Sequence, residues 1–114
     1  MKRILIVDDD MDLLNIMSSI LEKQKYQVHK ATSVQAALKL LESNAVDVIC
    51  SDFNMRDGTG LDLLEKLRQQ GVTTPFMLMS GNDDSRLEYE AERLGGLFCG
   101  KTDYELIAKI KEMV

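Results

Sequence analysis

No stretch of this chain stays apolar for more than four or five residues. Nothing is therefore long enough to span a bilayer, and no secretory leader is expected. Lys2 and Arg3 ahead of the run at 4–7 imitate the start of a leader, but Asp8, Asp9 and Asp10 end it too soon. Excess positive charge is missing as well: a net charge of −5 argues against this domain gripping nucleic acid unaided. Cysteine is scarce. Cys50 and Cys99 fall on two runs expected to be core strands that are not sheet neighbours. Strands two apart lie roughly 9.5 Å from each other, beyond the reach of a disulfide. Free, buried thiols and a cytoplasmic address are the expectation. The single histidine, His29, sits among polar neighbours and reads as a surface residue. Repeats, linkers and low-complexity segments are all absent.

What is present fits one domain spanning 1–114, with 45% apolar and 29% charged residues. A chain of this length buries roughly two thirds of its unfolded surface. The run at 4–7 is continuously apolar, the mark of a strand covered on both faces. Leu13, Met17, Ile20 and Leu21, widened by Leu14, then recur at helical spacing, with Asp10 or Asp12 as the cap. A short edge strand is expected at 27–31. Ser33 can cap a second helix carrying Ala36, Ala37, Leu40 and Leu41. The central run at 46–50 is followed by Ser51, Asp52 and a loop. Thr59 and Asp62 have capping-box spacing ahead of Leu61, Leu64 and Leu67, and Gly71 closes that third helix. Pro75 introduces a fourth strand, FMLMS. Residues 83–94 give a helix with only Leu87, Ala91 and Leu94 to anchor it. LFCG makes a fifth strand. The last helix is expected to be capped by Thr102 with Glu105, and to turn Tyr104, Ile107, Ile110 and Met113 inward. Strand and helix alternate five times, which predicts an α/β fold with a parallel sheet and helices on both faces.

The strand ends carry the chemistry. Asp8 and Asp9, Asp52, Ser80 and Lys101 all fall at one edge of one sheet, where open α/β sheets bind ligands. Any of them alone would pass as a turn residue. Adjacent carboxylates repel, so such clustering is tolerated where something positive sits among them. Three acids across a crevice suit a hard cation that takes oxygens and keeps several waters, namely Mg²⁺. A lysine opposite neutralises a phosphoryl group, a hydroxyl donates to it, and an aspartate carboxylate can accept it as an acyl phosphate.

These residues resemble a known family. VDDD, then SDFNM with a glycine eight residues after the Asp, then MSG, then FCGK, is similar to the receiver domain of two-component response regulators, over nearly the whole chain. The resemblance implies a doubly wound five-stranded sheet of order 2-1-3-4-5, a flavodoxin-like three-layer sandwich. It makes Asp52 the phosphoacceptor, fed by a sensor histidine kinase or a histidine phosphotransfer protein. Asp9 would be a direct Mg²⁺ ligand, Asp8 would act mainly through water, and Asn54 would offer its backbone carbonyl. Lys101 would pair with the phosphoryl oxygens, Ser80 would bond the phosphoryl group, and Phe98 would change its packing on activation. The domain would catalyse its own phosphorylation and dephosphorylation rather than act as an ordinary enzyme. Its fourth helix, fifth strand and fifth helix would control an output domain or effector. Three departures stand out. Arg56 replaces the proline after the methionine, Thr102 replaces the proline after the lysine, and RLGGLFCGK is one residue short. With Thr102 in that place, a trans Lys101–Thr102 bond is expected, since a non-proline cis bond costs about 2.5–4 kcal/mol.

Two rivals remain. DGTG at 57–60 resembles the haloacid-dehalogenase-like phosphatases, but Met55 stands where their nucleophilic aspartate belongs. A receiver that works purely as a phosphorylation-independent protein-binding module is the other.

Overall fold

The apolar runs become strands because both their faces are covered. Ile4, Leu5, Ile6 and Val7 of β1 (Arg3–Val7) are each fully buried, as are Val48, Ile49 and Cys50 of β3 (Val48–Asp52). The computed structural model describes residues 1–81, 84–101 and 105–114. Its main sheet adds β2 (Gln27–Ala31), β6 (Phe76–Ser80) and β7 (Leu97–Gly100), in the order β2-β1-β3-β6-β7, every pair parallel. Counting these five strands alone gives the expected 2-1-3-4-5.

Alternation along the strands divides the core in two. Ile4, Ile6, Cys50, Met77, Met79 and Cys99 face α1 (Met11–Lys23) and α5 (Leu106–Met113). Leu5, Val7, Ile49, Phe76 and Leu78 face α2 (Val34–Ser43), α3 (Gly60–Gln69) and α4 (Ser85–Arg93). Both cysteines are free and buried, on strands separated by β6. Burial and the neighbouring Cys99 push the Cys50 thiol up to about 12, so it stays a neutral core group.

Several helix faces differ from the expected stripes. In α1 the inward positions are Leu14, Met17, Ser18 and Leu21, while Ile20 is 38% exposed. Ser18 enters the core because its hydroxyl donates to Leu14 O at 2.7 Å, satisfying its only donor. In α2, Val34 and Ala37 are buried and Ala36 is exposed. The capping box at Thr59 and Asp62 is present, with both bonds at 3.0 Å. Gly71 takes a φ of +80° beyond α3, which suits glycine. α4 starts at Ser85, capped by Asp84, and buries only Ala91. His29 is half-buried rather than superficial, since α2 packs over β2. The region read as plain loop contains a small antiparallel pair, β4 (Asn54–Met55) with β5 (Gly58–Thr59). The expectations for Thr102 as a cap, for Tyr104 and for the Lys101–Thr102 bond lie outside the described residues.

Candidate functional site

The sheet register alone assembles the site. Val7 pairs with Ser51, so the next residues, Asp8 and Asp52, emerge side by side. Asp8 N donates to Ala31 O at 3.0 Å, and Phe53 N donates to Met79 O at 2.8 Å, so pairing continues to the strand ends. On the far side, Ser80 pairs with Gly100, and Lys101 N donates to Ser80 O at 2.7 Å. Asp8, Asp52 and Lys101 follow Ile6, Cys50 and Cys99 by two residues, so all three fall on the α1–α5 face. Ser80 falls in phase with Leu78, at the same edge but toward the other layer.

Of the three consecutive acids, Asp10 is the helix cap. Its carboxylate accepts from Asp12 N at 3.1 Å and Leu13 N at 3.2 Å. Asp8 is fully buried, and its Oδ1 accepts from Asp10 N at 2.9 Å. Asp9 is half-buried. Capping therefore leaves Asp8 and Asp9 for the crevice.

Lys101 supplies the counter-charge. Its Nζ lies 3.0 Å from Asp8 Oδ2 and 3.3 Å from Asp52 Oδ2. The approach to Asp8 Oδ2 is an ion pair that lacks the direction of a good hydrogen bond, so that buried oxygen keeps acceptor capacity. Burial pulls the Lys101 ammonium down, but Asp8 and then Asp52 outweigh it, and its pKa ends up raised. Asp52, 6% exposed, is pushed up by burial and by Asp8, with Lys101 opposing.

Asp8, Asp9 and Asp52 each bring one carboxylate oxygen to within 4.8 Å of the others. Three carboxylates converging on one crevice would hold a hard, oxygen-preferring cation such as Mg²⁺. An all-oxygen donor set with a buried acceptor still to satisfy fits that metal.

The loop after Asp52 is fixed by contacts that sequence reasoning did not find. Gly60 N donates to Phe53 O at 2.8 Å. A Cβ on Gly60 would fall onto the Asp52 carbonyl and within 2.7 Å of Leu78 Cδ1, so only glycine fits there. Asp57 reaches across to α2, accepting from Val34 N and Gln35 N at 2.9 Å each. The Gln35 and Val34 amides hold its carboxyl below the usual range. Arg68 donates to Leu94 O at 2.7 Å, Val72 O at 2.9 Å and Thr74 O at 3.0 Å, tying α3 to the end of α4 and to the approach of β6. The Asp-Gly pair at 57–58 announces a turn, but its bond to a helix more than twenty residues away leaves no local trace. Phe98 is half-buried and pairs with Leu78.

Residues 4–97 match the family model of the response regulator receiver domain. The transcriptional regulatory protein CpxR of Escherichia coli is 32% identical across the whole of this chain, which covers half of that protein. The nisin biosynthesis regulatory protein NisR of Lactococcus lactis is 28% identical over 96% of the chain and 48% of its own length. The chain thus spans about half the length of these curated relatives. Among solved structures, the non-phosphorylated HemR receiver domain of Leptospira biflexa superposes with a TM-score of 0.92 at 28% identity, covering 99% of this chain and 94% of that one. A CheY-like receiver domain protein from Methanospirillum hungatei gives 0.90 at 29% identity, over 98% and 92% of the two chains. With its sheet order, its acid cluster and a family match over most of its length, this chain belongs to the response regulator receiver domains.

Proposed function

We propose that residues 1–114 form one receiver domain that accepts a phosphoryl group on Asp52 in a Mg²⁺-dependent reaction. The observation that carries this reading is the juxtaposition of Asp8, Asp9, Asp52 and Lys101 at one strand-end crevice, held there by register. Asp8, Asp9, Asp52 and the Asn54 carbonyl would hold the cation, which when bound neutralises phosphoryl oxygens that three acids would otherwise repel. A carboxylate oxygen of Asp52 attacks phosphorus, forming an O–P bond, while the donor's N–P or O–P bond breaks and the donor keeps the electron pair. Burial and Asp8 make the Asp52 carboxylate more basic, hence a better nucleophile, with Lys101 opposing that rise. Lys101 then follows the new charge onto the phosphoryl oxygens, and Ser80 donates to another of them. Hydrolysis of the acyl phosphate at the same site resets the domain.

The donor this implies is a sensor histidine kinase or a histidine phosphotransfer protein, acting in the cytoplasm. Curated relatives of about twice this length, CpxR among them, support control of an output domain or effector. Among the described residues, no helix is long and apolar enough to cross a membrane. Ser80 and Phe98 would carry the signal. Ser80 turns toward the phosphoryl group, and the half-buried Phe98 ring moves into the space released, altering the surface formed by α4, β7 and α5.

The test is direct. Incubation with Mg²⁺ and acetyl phosphate should add one phosphoryl mass to the intact wild type and none to Asp52→Asn. An unlabelled wild type would favour the phosphorylation-independent binding module. A labelled mutant would move the acceptor elsewhere.

A further inference from the structure

We propose that Asp57 is a positioning residue for the cation site: bonded to the N-terminus of α2, it fixes the β4–β5 hairpin that carries Asn54, two residues beyond Asp52. The inference rests on the reading of Asn54 as a cation ligand given above.

The hairpin cannot hold its own shape. Two strands of two residues each supply too few bonds, and an isolated hairpin is marginal in water even when longer. Its base is secured by Phe53 N on Met79 O and by Gly60 N on Phe53 O, both at 2.8 Å. Its turn, Arg56 and Asp57, is exposed and so has no core to settle into. Met55 packs against the core from β4, and the turn itself is secured by the carboxylate of Asp57, with each oxygen accepting from a different α2 amide at 2.9 Å. The anchor is firm, because Val34 is 1% exposed and locked in the core. Gly58 packs on the same residue: a Cβ there would lie 3.6 Å from Val34 Cγ2. A carboxylate at a helix N-terminus also gains from the helix dipole.

Capping α2 does not by itself account for this arrangement. The helix has its own cap in Ser33, whose Oγ accepts from Ala36 N at 3.0 Å. Asp57 takes the two preceding amides, the ones Ser33 leaves over. One carboxylate thus serves two structures, the start of α2 and the turn three residues beyond Asn54. By linkage, a cation that orders the hairpin must also tighten the α2 amides that hold it.

Backbone amide NMR during a MgCl₂ titration tests this, with wild type, Asp57→Ala, Asp57→Asn and Ser33→Ala compared. Ser33→Ala weakens α2 without releasing the hairpin. Asp57→Ala should lower Mg²⁺ affinity roughly tenfold, whereas Ser33→Ala stays within about twofold of wild type. Asp57→Asn, which keeps one acceptor oxygen, should fall between them and decides the matter should the alanine variant fail to fold. Saturating Mg²⁺ should slow hydrogen exchange at Val34 and Gln35 in wild type and leave it unchanged in the Asp57 variants. Equal losses in Ser33→Ala and Asp57→Ala would reduce Asp57 to a helix cap and overturn the inference. Wild-type affinity in the Asp57 variants would overturn it too. A wild type that shows no Mg²⁺ response would refute the cation-site reading itself, and the inference with it.

Discussion

Lys101→Met is the sharpest probe of the crevice, because it keeps the aliphatic stem and deletes the charge. The ammonium sits 3.0 Å from Asp8 Oδ2 and 3.3 Å from Asp52 Oδ2. At an effective dielectric near 20, each attraction is about 5 kcal/mol before desolvation. Removing one member of a buried ion pair costs about 3–5 kcal/mol net. The Lys101 side chain is 20% exposed, so water partly screens the loss, and about 2–3 kcal/mol remains. In EDTA at neutral pH the midpoint of thermal unfolding should fall by about 8–12 °C. Mg²⁺ should then rescue the variant more than it helps wild type, since Lys101 no longer shares the acids. At a hundredfold excess over its dissociation constant, a bound ion contributes about 2.7 kcal/mol. Circular dichroism melts with and without Mg²⁺ provide the assay. Equal melting of the two proteins in EDTA would refute the counter-charge argument. Equal stabilisation of both by Mg²⁺ would refute the sharing.

Asp52→Asn should raise stability in EDTA by about 1–2 kcal/mol in urea titrations, because it removes one of two buried like charges. Gly60→Ala should cost about 3 kcal/mol in the same titrations, since its methyl group would collide with the Asp52 carbonyl and with Leu78. Arg68→Ala frees three carbonyls and should cost about 2 kcal/mol, with faster proteolysis between α3 and β7. The Asp57 carboxyl is held below its ordinary value of 3.8, so its bonds to α2 stabilise the fold above that pH and are lost as pH falls through the lowered value. The deficit of Asp57→Asn relative to wild type should therefore be full at neutral pH and vanish in strong acid. A deficit that persists in acid would mean that the charge is not what α2 uses.

The sheet was legible because its signal is repetitive. Every buried strand is a short apolar run, and each run ends on a polar residue that breaks the apolar pattern. Sequence periodicity fared worse on helix faces. Ile20 matched the stripe of α1 and lies outside it, whereas Ser18 matched nothing and lies inside, rescued by a bond to Leu14 O. Hydropathy cannot register a hydroxyl that satisfies itself within its own helix. Site residues on the strands were legible for the same reason as the strands. Asp57 and Arg68 were not, since their partners lie more than twenty residues away or are backbone carbonyls of any sequence. Such bonds exist only once the layers have docked.

Site and scaffold are joined by a conflict that the fold does not relieve by itself. Parallel pairing drives Val7 beside Ser51, and so forces Asp8 against Asp52 in a place with little water. Residues 4–7 and 48–50, which precede them, are apolar and fully buried, and supply the stability that the two acids draw down. Lys101, at the end of the last strand, offsets part of the repulsion, and in the proposed reaction it would also have to leave for another anion. A second basic residue would secure the acids more firmly and weaken the attraction for the proposed cation. The proposed chemistry thus draws on an incomplete charge balance, and the hairpin, Gly60 and Asp57 would be the parts that hold it in one fixed geometry.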